Sequence, residues 1–180
     1  MLMDASDETL AATASQDRDA FAALLARHYD RIFGLAFRLS GSRSMAEDLT
    51  QDICLALPAK LASYRRQARF TTWLYRVTVN AAHDQRRRAA TRARAGFGWG
   101  DWETARRTEI AVAAEAQDWL AETMRKLPPE LRDTVALTLG EEMSQADAAE
   151  VLGVSEGTVA WRMSEVKRRL RALARAEGML

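Results

Sequence analysis

One cysteine, Cys54, and two histidines, His28 and His83, leave this sequence short of the residues from which disulfide scaffolds, metal sites and histidine-based catalytic sets are assembled. A single thiol closes no internal disulfide, no Cys/His cluster has metal spacing, and Cys54 reads as an ordinary buried thiol on a helix. Neither histidine has a serine, cysteine or carboxylate arranged around it as a catalytic set needs, and His28 reads as a helix-surface or boundary residue. No apolar run approaches the ~20 residues of a membrane span. The acidic start, MLMDASDETL, lacks the positive n-region and apolar h-region of a signal peptide, so a cytoplasmic protein without membrane insertion is expected. Three prolines and nine glycines in 180 residues leave few breaks, and abundant alanine and arginine favour helix over sheet. No cofactor, no metal and no enzymatic activity are expected.

What is present is an apolar content of 48%, enough for a core even when it is split between two small helical units. The net charge of +1 hides an uneven distribution. Met1–Ala59 carries five basic and nine acidic residues, whereas Lys60–Arg94 carries ten basic residues against Asp84 alone. Ala95–Val159 has five basic against thirteen acidic, and Ala160–Leu180 six against two. Two basic zones set apart by acidic ones point to two separate contacts with a polyanion. Either zone taken singly also reads as a solvated helix face.

The pattern along the chain gives an N-terminal tail over 1–15, a helical unit over 16–94, a linker over 95–110 and a second helical unit over 111–180. The first helix runs from about Asp17 to Ser40, with Phe21, Leu24, Leu25, Ile32, Leu35, Ala36 and Leu39 on its apolar face and Gly41 as terminator. Ser44 with Glu47 forms a capping-box pattern that opens a second helix carrying Met45, Leu49, Ile53 and Leu57, which Pro58 is expected to kink or end. A polar connection, Ser63–Ala68, leads to a third helix over Thr71–Arg88. On it Arg76, Asn80, His83 and Arg87 follow at spacings of 4, 3 and 4 and share a face, while Leu74, Val77 and Ala81 turn inward. A cationic face beside Tyr64, Phe70 and Trp73 suits single-stranded or melted nucleic acid, whose bases stack on aromatic rings while arginines hold phosphates. Phe70 and Trp73 are equally readable as core. Ala89–Thr108, with Gly96, Gly98 and Gly100 among Phe97, Trp99 and Trp102, shows no helical period and reads as linker.

Near the C-terminus, SQADAAEVLGVSEGTVAWRMSEVKRRLRAL (Ser144–Leu173) reads as two helices around a tight turn at Gly153. Val159, Met163, Val166, Leu170 and Leu173 recur at 4, 3, 4 and 3 along the second, one buried stripe on a helix that is basic toward its end. This is a helix-turn-helix pattern, which places its second helix in a DNA major groove. The opposite face carries Gly157, Trp161, Ser164 and Arg168, flanked by Ala160 and Glu165. Glu165 is suited to accept from a cytosine amino group, and Trp161 or Ala160 to meet a thymine methyl. Arg162, Lys167, Arg168 and Arg169 suit phosphates. Trp161 also reads as a residue packed sideways on a neighbouring helix.

The stretch AEDLTQDICLALPAKLASYRRQARFTTWLYRVTVNAAHDQRRR (Ala46–Arg88) resembles region 2 of the sigma-70 family, in particular the extracytoplasmic-function (ECF) group of RNA polymerase sigma factors. Its markers are AEDLTQD, FTTWLYRVTVN and the RRR tail. Leu127–Leu173, with its LP start, LGVSEGTV turn and basic end, resembles region 4 of the same group. The resemblance implies an all-α protein of two small helical domains, a region 2 bundle and a region 4 helix-turn-helix, joined by a flexible linker. It implies binding to core RNA polymerase through Asp48, Leu49, Gln51 and Asp52. It also implies capture of melted minus-ten promoter DNA by Tyr64, Arg65, Arg66, Phe70, Thr71, Trp73, Arg76, Asn80, His83 and Arg87. Minus-35 duplex then falls to Thr158, Ala160, Trp161, Arg162, Ser164, Glu165, Lys167 and Arg168, and an anti-sigma factor is an expected regulator. Many relatives carry basic residues at the positions of Ala160 and Glu165, so the minus-35 sequence is left open. Two other readings are a DNA-binding regulator acting without polymerase, which lacks an obvious dimerisation helix, and a small helical nuclease relying on Glu47, Asp48 and Asp52.

Overall fold

A computed structural model describes residues 5–94 and 122–176, and every element within them is helical. The chain opens with a short helix, α1 (Asp7–Thr13), where the sequence pattern gives only a tail. The Ser6 side chain caps it by accepting from the Thr9 N–H, and Asp7 and Glu8 sit in its first turn, where the helix dipole favours acids. Leu10, Ala11 and Ala14 are buried, so this segment belongs to the core. Helix α2 (Arg18–Ser40) begins on Asp17, which accepts from the N–H groups of Asp19 and Ala20, and ends on Gly41 at φ 69°. Its apolar face is the expected one with an addition: His28 is 5% exposed, not a surface residue. The cause lies in spacing, since His28 stands between Leu24 and Ile32 on the same stripe and Asp7 supplies its polar partner.

Helix α3 (Arg43–Leu61) is capped by Ser42 rather than Ser44, and Glu47 pairs with Arg43 one turn back at 3.0 Å instead of closing a capping box. Pro58 does not end it. The helix continues to Leu61, because a proline three residues from the end removes only one bond, the one to the Cys54 carbonyl. Cys54 is half-buried, and burial pushes its thiol up, away from reactivity. Helix α4 (Phe70–Arg94) extends past the expected end at Arg88. Its buried stripe is Leu74, Tyr75, Thr78, Val79 and Ala82, while Val77 and Ala81 are only half-buried.

The second unit resumes with helical residues 122–126. Helix α5 (Pro129–Val135) starts with proline at its first position, where no N–H is needed, and runs into a π-helical turn, Ala136–Gly140. Helix α6 (Gln145–Leu152) is capped by Ser144 and stops at Gly153, φ 66°. Helix α7 (Glu156–Ala176) follows after a turn in which Ser155 accepts from the Thr158 N–H at 3.1 Å. Val159, Met163 and Val166 are buried as the spacing predicts, and Leu170 packs on a small core of Met124, Leu127, Leu131 and Val135.

The two units are not separate in this arrangement. Ala136, Leu137, Ala148, Ala149, Val151 and Val159 join one continuous core with Leu35, Leu39, Leu49 and Leu74 of the first unit. Sequence periodicity marks which faces are apolar but not that the two units share them. The linker over 95–110 and the start of the second unit at 111 lie outside the described residues.

Gly153 isolates a backbone effect, because a Cβ there would meet nothing within 4 Å yet its φ is left-handed. Gly153→Ala is therefore expected to destabilise the chain by about 1–2 kcal/mol through backbone strain alone. Gly153→Asn should cost less, as read by thermal or urea denaturation.

Candidate nucleic-acid interface

The solvent face of α3 presents Asp48, Gln51 and Asp52, all exposed. Leu49, expected beside them, is 2% exposed and lies on the core stripe with Ile53 and Leu57, so it supports the face from behind. Leu55 was missed by the sequence reading. It is 74% exposed one turn beyond Gln51 and Asp52, which makes the face an acidic one with an apolar centre. The signal was available, since Leu55 falls off the 49–53–57 spacing.

The loop between α3 and α4 is closed by the Tyr64 hydroxyl, which donates to the Ala68 carbonyl at 3.0 Å. Tyr64, Phe70 and Trp73 form one aromatic cluster, with Tyr64 edge-on to Phe70 at 5.5 Å and tilted on Trp73 at 5.3 Å. Phe70 is 1% exposed, so it is the floor of the cluster and offers no free stacking face. Tyr64, Thr71 and Trp73 remain half-buried at the rim, and Arg65 and Arg66 are exposed.

Along α4 the expected face of Arg76, Asn80, His83 and Arg87 is partly engaged by the second unit. Arg76 donates to the Glu150 carboxylate at 2.9 Å and to the Glu150 carbonyl at 3.1 Å. His83 donates through Nε2 to Asp133 at 2.8 Å, and Arg86 grips the same carboxylate with two bonds of 2.9 and 2.7 Å. Only Asn80 and Arg87 stand outside this contact, and Arg87 pairs with Asp84 on its own helix at 2.9 Å. Arg86 had not been picked out as a site residue, because only the fold supplies its acid. A third link runs from Glu141, placed by the π-helical turn, to the Tyr75 hydroxyl at 2.5 Å and to the Arg38 guanidinium. A cleft of about 300 Å³ at this junction is lined by His83, Arg86, Pro129, Asp133, Leu152 and Arg162. Arg162 of the second cationic zone thus lines the same cleft as His83 and Arg86 of the first, together with the acids Glu130 and Asp133.

Asp133 is 3% exposed. Burial pushes its carboxyl up, but the hydrogen bonds from His83 and Arg86 outweigh that and hold it below the ordinary carboxylate value. A carboxyl depressed in the folded state contributes stability that is complete above the unfolded value, near pH 4, and lost as pH falls through the lower folded one. Acidification below about pH 4 is thus expected to part the two units. Arg86→Ala should do so at neutral pH at a cost of roughly 3–5 kcal/mol, since it strands a buried charge. Asp133→Ala should cost less, because its partners can turn to water. Small-angle scattering would show each as an increase in radius of gyration.

On α7, Trp161 is 63% exposed, which answers the question of its packing in favour of a free side chain. Ser164 is exposed but its hydroxyl donates back to the Ala160 carbonyl at 3.1 Å, and the Thr158 hydroxyl is shared with Ser155 at 2.8 Å. Ala160 and Arg162 are half-buried, and Lys167 and Arg168 are exposed. Glu165 is held by Arg168 at 2.6 and 2.7 Å and by Arg169 at 2.7 Å. Hydrogen bonds from these two guanidinium groups lower its carboxyl to about 2. Its oxygens are thus shared with Arg168 and Arg169, and two of the expected phosphate clamps are partly neutralised. Arg171 and Arg175 continue the same face along a shallow groove with Ser164 and Arg168. Glu165→Gln is expected to tighten binding to random-sequence duplex about three- to tenfold at low salt, measured by fluorescence anisotropy.

Among the described residues no group of histidine, cysteine and acidic side chains is placed to hold a metal ion, and no helix is long and apolar enough to cross a membrane. The pairs of buried His28 with Asp7 and of His83 with buried Asp133 bring carboxylates to both histidines from distant parts of the chain, which the sequence did not reveal. The ring bonds of both histidines run to carboxylates, His28 to Asp7 and His83 to Asp133, and not to a serine or cysteine nucleophile.

Residues 24–92 match Sigma-70 region 2 and residues 117–170 match Sigma-70, region 4, in the order that the fold displays them. The chain belongs to the sigma-70 family, in its ECF group of RNA polymerase sigma factors. It is 35% identical over 169 residues to the ECF RNA polymerase sigma factor SigM of Mycobacterium tuberculosis, an alignment covering 92% of this chain and 83% of that protein. Against the ECF RNA polymerase sigma factor SigW of Bacillus subtilis it is 26% identical over 166 residues, covering 86% and 89%. The solved structure of CnrH in complex with the cytosolic domain of CnrY superposes with a TM-score of 0.70 at 28% identity, covering 94% of this chain and 97% of that one.

Proposed function

We propose that this protein lends promoter recognition to core RNA polymerase as a cytoplasmic, non-enzymatic sigma factor, and that the closed arrangement is its resting form. The observation that carries the reading is the pairing, in one chain, of two exposed surfaces of opposite character. The α3 face with Asp48, Gln51, Asp52 and Leu55 suits a basic helical partner with an apolar seam, as a coiled coil of the polymerase clamp would offer. The α7 face with Trp161, Lys167 and Arg168 suits a major groove. Between them, the loop at Tyr64 and the rim residues Thr71 and Trp73 suit a base drawn from the minus-ten stack. Asn80 and Arg87, with Arg76 and His83 once released, suit the adjoining phosphates.

Geometry requires the units to part before promoter DNA is engaged. Elements ten and thirty-five bases upstream of the start are roughly 85 Å apart at 3.4 Å per base. A packed chain of 180 residues has a radius of gyration of only about 16 Å, so no closed form spans both. CnrH was solved in complex with the cytosolic domain of CnrY, and a partner protein that bound across the closed units of this chain would hold the factor inactive.

The test is run-off transcription with reconstituted holoenzyme on promoters selected from random DNA. Promoter-specific initiation is expected with the wild type, and Asp52→Arg combined with Leu55→Ala should lower core affinity at least tenfold, roughly one anchor's worth of interface energy. A tight footprint by the chain alone, with no gain in initiation on adding core enzyme, would instead mark a regulator that works without polymerase.

A further inference from the structure

Helix α4 begins at Phe70 directly after Arg69, which has no capping side chain, so its first-turn N–H groups need an acceptor from elsewhere. Glu8 of α1, 62 positions earlier, supplies one: the Phe70 N–H points to its Oε1 at 3.5 Å. Arg66, in the middle of the loop, holds a left-handed φ of 57°, and its guanidinium donates to the Glu8 carbonyl at 3.1 Å. The neighbouring acid, Asp7, accepts from His28 Nε2 at 2.8 Å and from Arg27 at 3.1 Å. His28 in turn lies against Phe70 at 5.2 Å between ring centroids, beneath the Tyr64–Phe70–Trp73 cluster. Burial lowers the pKa of this histidine against the opposing pull of Asp7, which keeps the ring neutral and donating through Nε2. Both acids in the first turn of α1 are therefore spent on one object, the loop from Tyr64 to Phe70 and its aromatic floor. Leu10, Ala11 and Ala14 anchor α1 itself in the core.

We propose that α1 is a brace for the minus-ten reading loop, with Glu8 as the positioning residue at its C-terminal end and Asp7 acting through His28 on its floor. This rests on the promoter-reading function proposed above. Extruding a base costs a few kcal/mol, and only a pocket already in shape returns that energy selectively for the right base. A loop with a left-handed arginine and an uncapped helix start does not hold one shape by itself. Glu8 touches no DNA in this scheme; it fixes the backbone on which Tyr64 and Trp73 are carried.

The experiment uses full-length holoenzyme with wild type, Glu8→Gln and Glu8→Ala. It measures core affinity, minus-35 duplex affinity, and the ratio of initiation between the preferred base and its alternatives at each minus-ten position. Glu8→Ala is expected to lower that ratio about five- to tenfold, the size of a lost helix cap, with core and duplex affinities unchanged. Glu8→Gln keeps a side-chain carbonyl acceptor for the Phe70 N–H and should retain most of the ratio. Hydrogen exchange should show faster opening of residues 64–70 in Glu8→Ala only. An undiminished ratio in Glu8→Ala overturns the brace while leaving the promoter reading intact, and so does an equal loss in all three measurements, which would mean a general folding defect. A wild type that discriminates no minus-ten base overturns the promoter reading and the brace with it.

Discussion

The Asp133 carboxylate sets the arrangement of the whole molecule. A buried acid from the second unit is gripped by two bonds from Arg86 and one from His83, both on the long helix of the first. An unpaired carboxylate at 3% exposure costs several kcal/mol, so wherever α5 goes these two cations must follow. Glu141 on Arg38 and Tyr75, and Glu150 on Arg76, fix the remaining freedom. Three acids from one unit thus register it against the other, while the shared core around Leu137 and Val151 supplies most of the adhesion. The ionic contacts choose the orientation, and apolar burial makes it stable.

This division of labour explains how a face suited to nucleic acid is stored. Arg76 and His83 are aimed correctly by helical spacing whether or not the second unit is present. Glu150 and Asp133 occupy them as phosphates would, through oxygen acceptors of the same charge sign. On α7, Glu165 does the same for Arg168 and Arg169 within a single helix. Arg76, His83 and Arg86 on α4 and Arg168 and Arg169 on α7 therefore each carry an acid of the same chain. The small net charge of the protein reflects this local matching rather than a lack of cationic surface.

Much of the fold was legible in the sequence because it is written in period. The stripes of α2 and α7, the stop at Gly41 and the turn at Gly153 follow from apolar spacing and from two glycines at positive φ. Errors fell where local patterns compete. Ser44–Glu47 resembled a capping box, yet Ser42 lies nearer the chain reversal and takes the cap, leaving Glu47 to Arg43. Pro58 looked like a terminator but falls within the last turn, where one missing bond is cheap. The α1 helix was too short to show a period, and its worth lies in contacts twenty or more residues away. The same holds for the candidate site. The helical face of Arg76, Asn80, His83 and Arg87 was readable, whereas Arg86, Asp133 and Glu150 gain their meaning only from tertiary pairing. Leu49 is buried and Leu55 exposed because a residue's face, not its neighbours in sequence, decides which of them meets solvent.

The Asp133 and Glu150 pairings also mean that the protein brings its own counterions to the α4 face. In the closed form carboxylates of the same chain pair with those cations. Opening the units hands the cations to chloride or to nucleic acid, and binding DNA then displaces whichever is present. Dissolved salt accordingly pulls in two directions. It screens the pairs that keep the units shut, and it weakens the phosphate contacts that become available once they part. The ionic strength at which such a chain engages DNA most readily is then an intermediate one, set by the balance between its internal acids and the polymer that replaces them.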